Sequence, residues 1–160
     1  MFQAPPGATE QRTAELRRPR RLTIPEAQER APFIVLVPAR VPPSWQMTCT
    51  LVESSGRRGA PTEVKLRYRS GDGHEDLSIS EIALDERSQH HYDTVAADGK
   101  WEDRPYDNGV LRVRPPDWGQ AQTYLERDGT FALLVSNALT NAQVAAIAAG
   151  LKPAPSATRS

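Results

Sequence analysis

Apolar and polar residues alternate through the middle of the chain, and a longer, helical spacing takes over near both ends of the ordered part. Thr23 to Glu26 has the T-x-x-E form of a capping box, with Pro25 in the first turn, and predicts a short helix running through Glu29 and Arg30. Phe33 to Val37 follows as an apolar run bounded by Pro32 and Pro38, either a buried strand or an extended segment crossing the core. Pro42 and Pro43 then force an extended link.

From Trp45 the period becomes two. Met47, Cys49 and Leu51 alternate with Thr48 and Thr50, which predicts a half-buried strand. Val64, Leu66 and Tyr68 alternate with Lys65, Arg67 and Arg69, and the chain returns through Leu77, Ile79 and Ile82. The Gly71-Asp72-Gly73 turn supplies positive φ, so 62–83 reads as a hairpin. Asp98-Gly99 marks another turn, and Val110 to Arg114 a further strand. Gln120–Glu126 and Phe131–Ser136 flank Asp128-Gly129, a strong hairpin signal. Thr140 with Gln143 forms a second capping box, with Leu139 and Val144 at the positions of a hydrophobic staple. Val144, Ile147, Ala148 and Leu151 give that helix an apolar stripe; Gly150 is placed as a left-handed C-cap, and Pro153 ends it.

The order predicts an α+β domain: a mostly antiparallel sheet of six or seven strands, with a short N-terminal helix and a C-terminal helix packed on it. The expected domain spans 21–152. Residues 1–20 and 153–160 are rich in Pro, Ala, Ser and Arg without apolar period and read as tails. Removing them also explains the 38% apolar share and the fourteen prolines, both unusual for a globular chain.

Twenty basic and twenty acidic residues cancel, so no global field draws the chain to nucleic acid or membrane. Seventeen of the basic residues are Arg, which with the abundant Ala and Pro suggests a high-GC bacterial genome. The start, MFQAPPGATEQR, holds no apolar stretch suited to a signal peptide, and no apolar run approaches the length of a membrane span. The single cysteine excludes an internal disulfide. These features favour the cytoplasm.

Three segments carry a resemblance: LTIPEAQERAPFIVLVPARVPPSW, VKLRYRSGDGHEDLSISE and TYLERDGTFALLVSNALTNAQVAAIAAGLKP. Over 22–153 the chain resembles the domain of unknown function found at the extracytoplasmic ends of bacterial membrane-anchored anti-sigma-like and sporulation proteins. More distantly it is similar to the sigma-E regulatory and lipoprotein-carrier group. The resemblance implies a curved antiparallel sheet with helices in its concavity, and it carries no active-site residues over to this chain.

Few residues suggest chemistry. His90 and His91, with Asp93 or His74, are a conceivable metal set, but their spacing matches no zinc pattern and a solvated connection explains them. GDGHED (71–76) lacks the ligand order of a calcium loop and reads as a turn. Cys49 is in phase with Met47 and Leu51 and so faces the core. No nucleophile elbow, phosphate loop or dinucleotide fingerprint is present. The Arg17–Arg21 cluster reads as a solvated tail. Lys65, Arg67 and Arg69 on one strand and Arg112 and Arg114 on another would make a positive stripe if those strands were neighbours, though a wet sheet face accounts for both. The large aromatics, Trp45, Tyr68, Trp101, Trp118, Tyr124 and Phe131, either anchor the core or line an apolar pocket.

The reading that results is a non-catalytic interaction or regulatory module with a protein partner, no cofactor and no metal. The alternatives are a carrier of a lipid or small apolar ligand in a curved-sheet pocket, and a metal-dependent hydrolase using His74, His90 and His91.

Overall fold

The computed structural model describes residues 19–53, 61–85, 100–106, 109–115 and 119–155. Among these residues, ten strands and two helices follow in chain order: β1 (Arg20–Leu22), α1 (Ile24–Arg30), β2 (Leu36–Val37), β3 (Gln46–Val52), β4 (Glu63–Arg69), β5 (Asp76–Ala83), β6 (Glu102–Tyr106), β7 (Gly109–Val113), β8 (Ala121–Arg127), β9 (Thr130–Ser136), α2 (Asn141–Ala149) and β10 (Lys152–Pro153). Eight of the strands form one antiparallel sheet in the order β1-β3-β4-β5-β9-β8-β7-β6, and β2 pairs with β10 in a separate ribbon. The chain thus builds one half inward from the β1 edge to β5, then starts again at the far edge and runs inward through β6–β9 to close against β5.

The α+β class and the antiparallel sheet are as the pattern predicts, but the main sheet has eight strands rather than six or seven. The added strands lie at the edges. β1 and β6 read Arg-Arg-Leu and Glu-Asp-Arg-Pro-Tyr, without apolar alternation, because an edge strand need bury neither face completely. Pairing begins at Arg20 and runs to Pro153, one residue beyond each expected domain bound.

Both capping boxes form. Thr23 accepts from the Glu26 N–H, while Glu26 accepts from Thr23; Thr140 and Gln143 do the same for α2. Asp128 and Gly129 both take positive φ, 52° and 79°, which sets the two-residue hairpin between β8 and β9. Gly150 is not the left-handed cap expected: its φ is −91°. Its N–H is shared between Ala146 and Ile147 carbonyls, so the helix tightens in its last turn and feeds directly into β10.

The register divides the sheet into two faces. The inner face presents Cys49, Leu51, Val64, Leu66, Tyr68, Leu77, Ile79, Leu134, Leu125 and Val113, all buried. α2 covers its β7–β9 half with Val144, Ala145 and Ala148, and α1 lies against β3. Each fully buried Leu or Val contributes about 1.5–3 kcal/mol relative to exposure.

The Phe33–Val37 segment combines the two expected forms, an extended crossing of the core that ends in the short strand β2. Side chains from the surrounding elements satisfy its backbone: Gln28 donates to the Phe33 carbonyl (2.9 Å) and accepts from Val35 N–H (2.7 Å), Glu81 accepts from Leu36 N–H (2.6 Å), and Thr130 donates to the Ile34 carbonyl (2.5 Å). Ala154 N–H donates to the Val35 carbonyl, so Pro153 falls at a non-bonded position of the ribbon and no donor is lost. No helix among the described residues is long and apolar enough to cross a membrane.

Candidate functional site

The outer face is where chemistry-bearing side chains reach the surface. By register it carries Lys65, Arg67 and Arg69 on β4, Ser78, Ser80 and Ile82 on β5, Phe131, Leu133 and Val135 on β9, Gln122, Tyr124 and Glu126 on β8, and Arg112 with Arg114 on and just beyond β7. The two basic groups share this face but not adjacent strands. β5, β9 and β8 intervene, a separation of about 19 Å at the usual strand spacing. The positive stripe that neighbouring strands would have made is therefore interrupted by Leu133 and Tyr124. Arg67 is also engaged by Asp76 at 2.8 Å.

Of the six aromatics singled out in the sequence, Trp101, Tyr124 and Phe131 come together on this face. The Trp101 and Tyr124 rings meet edge-to-face with centroids 4.6 Å apart, and Phe131 lies 5.5 Å from Tyr124. Ile82 completes a small buried cluster, with Leu84 and Leu133 against it. Tyr68 is on the inner face, in the main core, and Trp45 packs against that same core. The described aromatics therefore occupy opposite sides of the sheet and do not line one cavity. Trp118 lies outside the described residues, as do His90, His91 and Asp93.

Arg114 is buried, and its guanidinium carbon sits 3.8 Å from the Trp101 ring centroid. It also reaches the Gln122 side chain and the Lys100 carbonyl, each at 3.4 Å. Such a cation over a tryptophan face fixes the ring's orientation. Arg112, two residues earlier, stays partly open. Its Nε is 3.2 Å from Asp103, whose side chain is 69% exposed. A solvated pair of this kind is worth about 0–1 kcal/mol and exchanges readily for another carboxylate.

Arg112 and Tyr124 are shared by two neighbouring depressions. One, of about 570 Å³, is bounded further by Trp101, Asp103 and Pro115; the other, of about 220 Å³, by Val110 and Glu126. The result is a shallow cleft with an aromatic wall, a pinned guanidinium behind it and an exchangeable guanidinium at its centre. Arg112 was legible from the sequence as an outward-facing residue, but its meeting with Trp101 depends on β6, which the pattern does not reveal.

Three ionisable groups at the centre of the inner face, Glu81, Cys49 and Tyr68, are enclosed instead. Glu81 is fully buried between β4 and β9; one carboxylate oxygen accepts from Leu36 N–H, and the other has no hydrogen-bond partner. Burial pushes its pKa up to about 8, against the opposing effect of the Leu36 bond. Cys49 is buried as its phase predicts, and burial followed by the nearby Glu81 charge raises its thiol to about 11. Tyr68 rises to about 12 for the same two reasons, with Cys49 adding to them. A thiol held so far above neutrality is a packing group, not a nucleophile. Glu81 was missed in the sequence, although the row Leu77, Ile79, Glu81 places it inward by parity alone.

The 70–76 turn is accounted for by its own bonds. Asp72 accepts from Ser70 Oγ and His74 N–H, which hold its carboxyl below the usual range, and Asn137 ties the His74 carbonyl and the Asp76 N–H to the far end of β9. Comparison of the chain with protein families, with curated proteins and with solved structures finds no match.

Proposed function

We propose that this protein is a non-catalytic interaction module that holds a carboxylate-bearing segment of a partner protein in the outer-face cleft between β6 and β8. The observation that carries the reading is the arrangement of Arg112 beside the Trp101–Tyr124 pair, with the exposed Asp103 as its ion-pair partner among the described residues. Aromatic side chains and arginine dominate the binding energy of protein interfaces, because they offer large rigid contact area and forked hydrogen bonding to carboxylates. The same arrangement suits a carrier poorly, since the large aromatics are split between two faces of a packed sheet.

Selection of a random peptide library on the purified protein tests this. Enriched peptides are expected to be acidic, to bind about tenfold or more weakly to the Arg112→Glu variant, and to bind more tightly to Asp103→Ala, which removes the competing carboxylate. Both positions are at the surface, so the fold should survive either change. Peptides that bind all three proteins equally would refute the assignment of the cleft.

A further inference from the structure

β1 is shorter than the strand it covers. It ends at Leu22, opposite Cys49, and Thr23 then turns the chain into α1. β3 begins three residues earlier, at Gln46. Gln46, Met47 and Thr48 pair with Arg69, Tyr68 and Arg67 on the β4 side, and among the described residues no strand pairs with them on the β1 side. In an antiparallel strand, alternate residues direct both N–H and C=O toward the same neighbour. Part of this three-residue stretch, roughly 10 Å long, therefore presents its ladder groups to an open edge.

The opening is more than an unpaired backbone. It forms one side of a cleft of about 650 Å³ lined by Leu22, Ile24, Met47 and Cys49, with Arg21 and Glu26 among its polar residues. Met47 is 38% exposed although it lies on the inner-face side of its strand. The two charges are not equivalent. Glu26 is already committed to the capping box, accepting from the Thr23 N–H and hydroxyl at 3.1 and 2.8 Å. Arg21 is exposed and makes no ion pair among the described residues, and Arg69, opposite Gln46, is exposed as well. Among the described residues the opposite sheet edge is blunted: β6 carries Pro105, which has no N–H, and the exposed charges Glu102, Asp103 and Arg104.

We infer that β3 accepts a short extended segment of a partner protein as an added strand beyond the end of β1, with apolar residues facing Met47 and Leu22 and acidic residues beside Arg21 and Arg69. Main-chain bonds to residues 46–48 supply affinity, the apolar wall selects alternate side chains, and the exposed Arg21 and Arg69 select the charge of the flanks. This surface is at the other end of the sheet from Arg112 and is independent of the outer-face cleft.

The test uses a blocked hexapeptide of alternating valine and threonine with an aspartate at each end, added to isotope-labelled full-length protein. Amide resonances of residues 46–48 and 21–24 are expected to shift saturably, with exchange at the newly bonded amides slowed about tenfold or more. Two versions of the peptide, N-methylated on the nitrogens of one edge or of the other, must then behave differently: one binds and the other does not. Replacing the terminal aspartates by lysines should weaken binding about tenfold, Arg21→Glu should reverse that preference, and Arg112→Glu should leave it unchanged. Absence of any change at 46–48, or equal behaviour of the two methylated peptides, would overturn strand addition, whatever the fate of the outer-face cleft.

Discussion

Unfolding measured in urea should show the protein losing about 4 kcal/mol of stability between pH 5 and pH 8.5, and Glu81→Gln should abolish most of that loss. Glu81 is buried, and only one of its carboxylate oxygens has a partner. Its pKa is raised from 4.5 to about 8. The folded state therefore keeps the proton through a range in which the unfolded chain has released it. Below pH 4.5 both states are protonated and the group has no effect. Stability falls as pH rises between the two values and levels off above 8, by which point the full penalty is roughly 5 kcal/mol. Against a typical total of about 5–15 kcal/mol this is a large fraction. Glutamine keeps an acceptor for Leu36 N–H but cannot ionise, so the variant's profile should be nearly flat in this window. Cys49 and Tyr68, with their still higher values, contribute mainly above it. A wild-type profile as flat as the variant's would mean that Glu81 is hydrated or paired, contrary to the structure.

The second large effect is expected at Phe131. Its side chain is 2% exposed, lies across the strand pair from Ile82, and supports the Tyr124 ring that in turn meets Trp101. Phe131→Ala should cost about 3–5 kcal/mol, from lost transfer free energy and an unfilled space beneath two rings. Phe131→Leu, closer in volume, should cost under about 1.5 kcal/mol. Near-ultraviolet circular dichroism gives an independent readout, because the fixed Trp101–Tyr124 geometry should be lost in the alanine variant before the backbone unfolds. A cost below about 1 kcal/mol with unchanged aromatic signals would show that the outer-face cluster is not packed.

These effects depend on features that the sequence reveals unequally. Local chemistry was legible: both capping boxes, the Asp128-Gly129 hairpin and the alternation of β3 to β5 follow from short-range backbone preferences that tertiary packing reinforces. The edges were not. Arg20–Leu22 and Glu102–Tyr106 become strands because a neighbour offers them hydrogen bonds, and their own residues show no apolar period. Without β6 the sequence offers no way to bring Trp101 to Tyr124, and without the length of β1 it offers no gap beside Met47. Strand order was equally hidden, which is why Lys65 and Arg112 end four strands apart instead of forming one stripe. Gly150 shows the reverse case, where a residue able to adopt positive φ does not, because the chain must enter the β2–β10 ribbon at once.

The proposed module binds a partner at its surface and retains no small molecule of its own. Native mass spectrometry of the purified chain, set against its denatured mass, tests that directly. For such a module the native mass is expected to equal that of the bare chain or a simple multiple of it. A retained excess of a few hundred daltons, lost on denaturation, would overturn the interaction module and point to a carried small molecule.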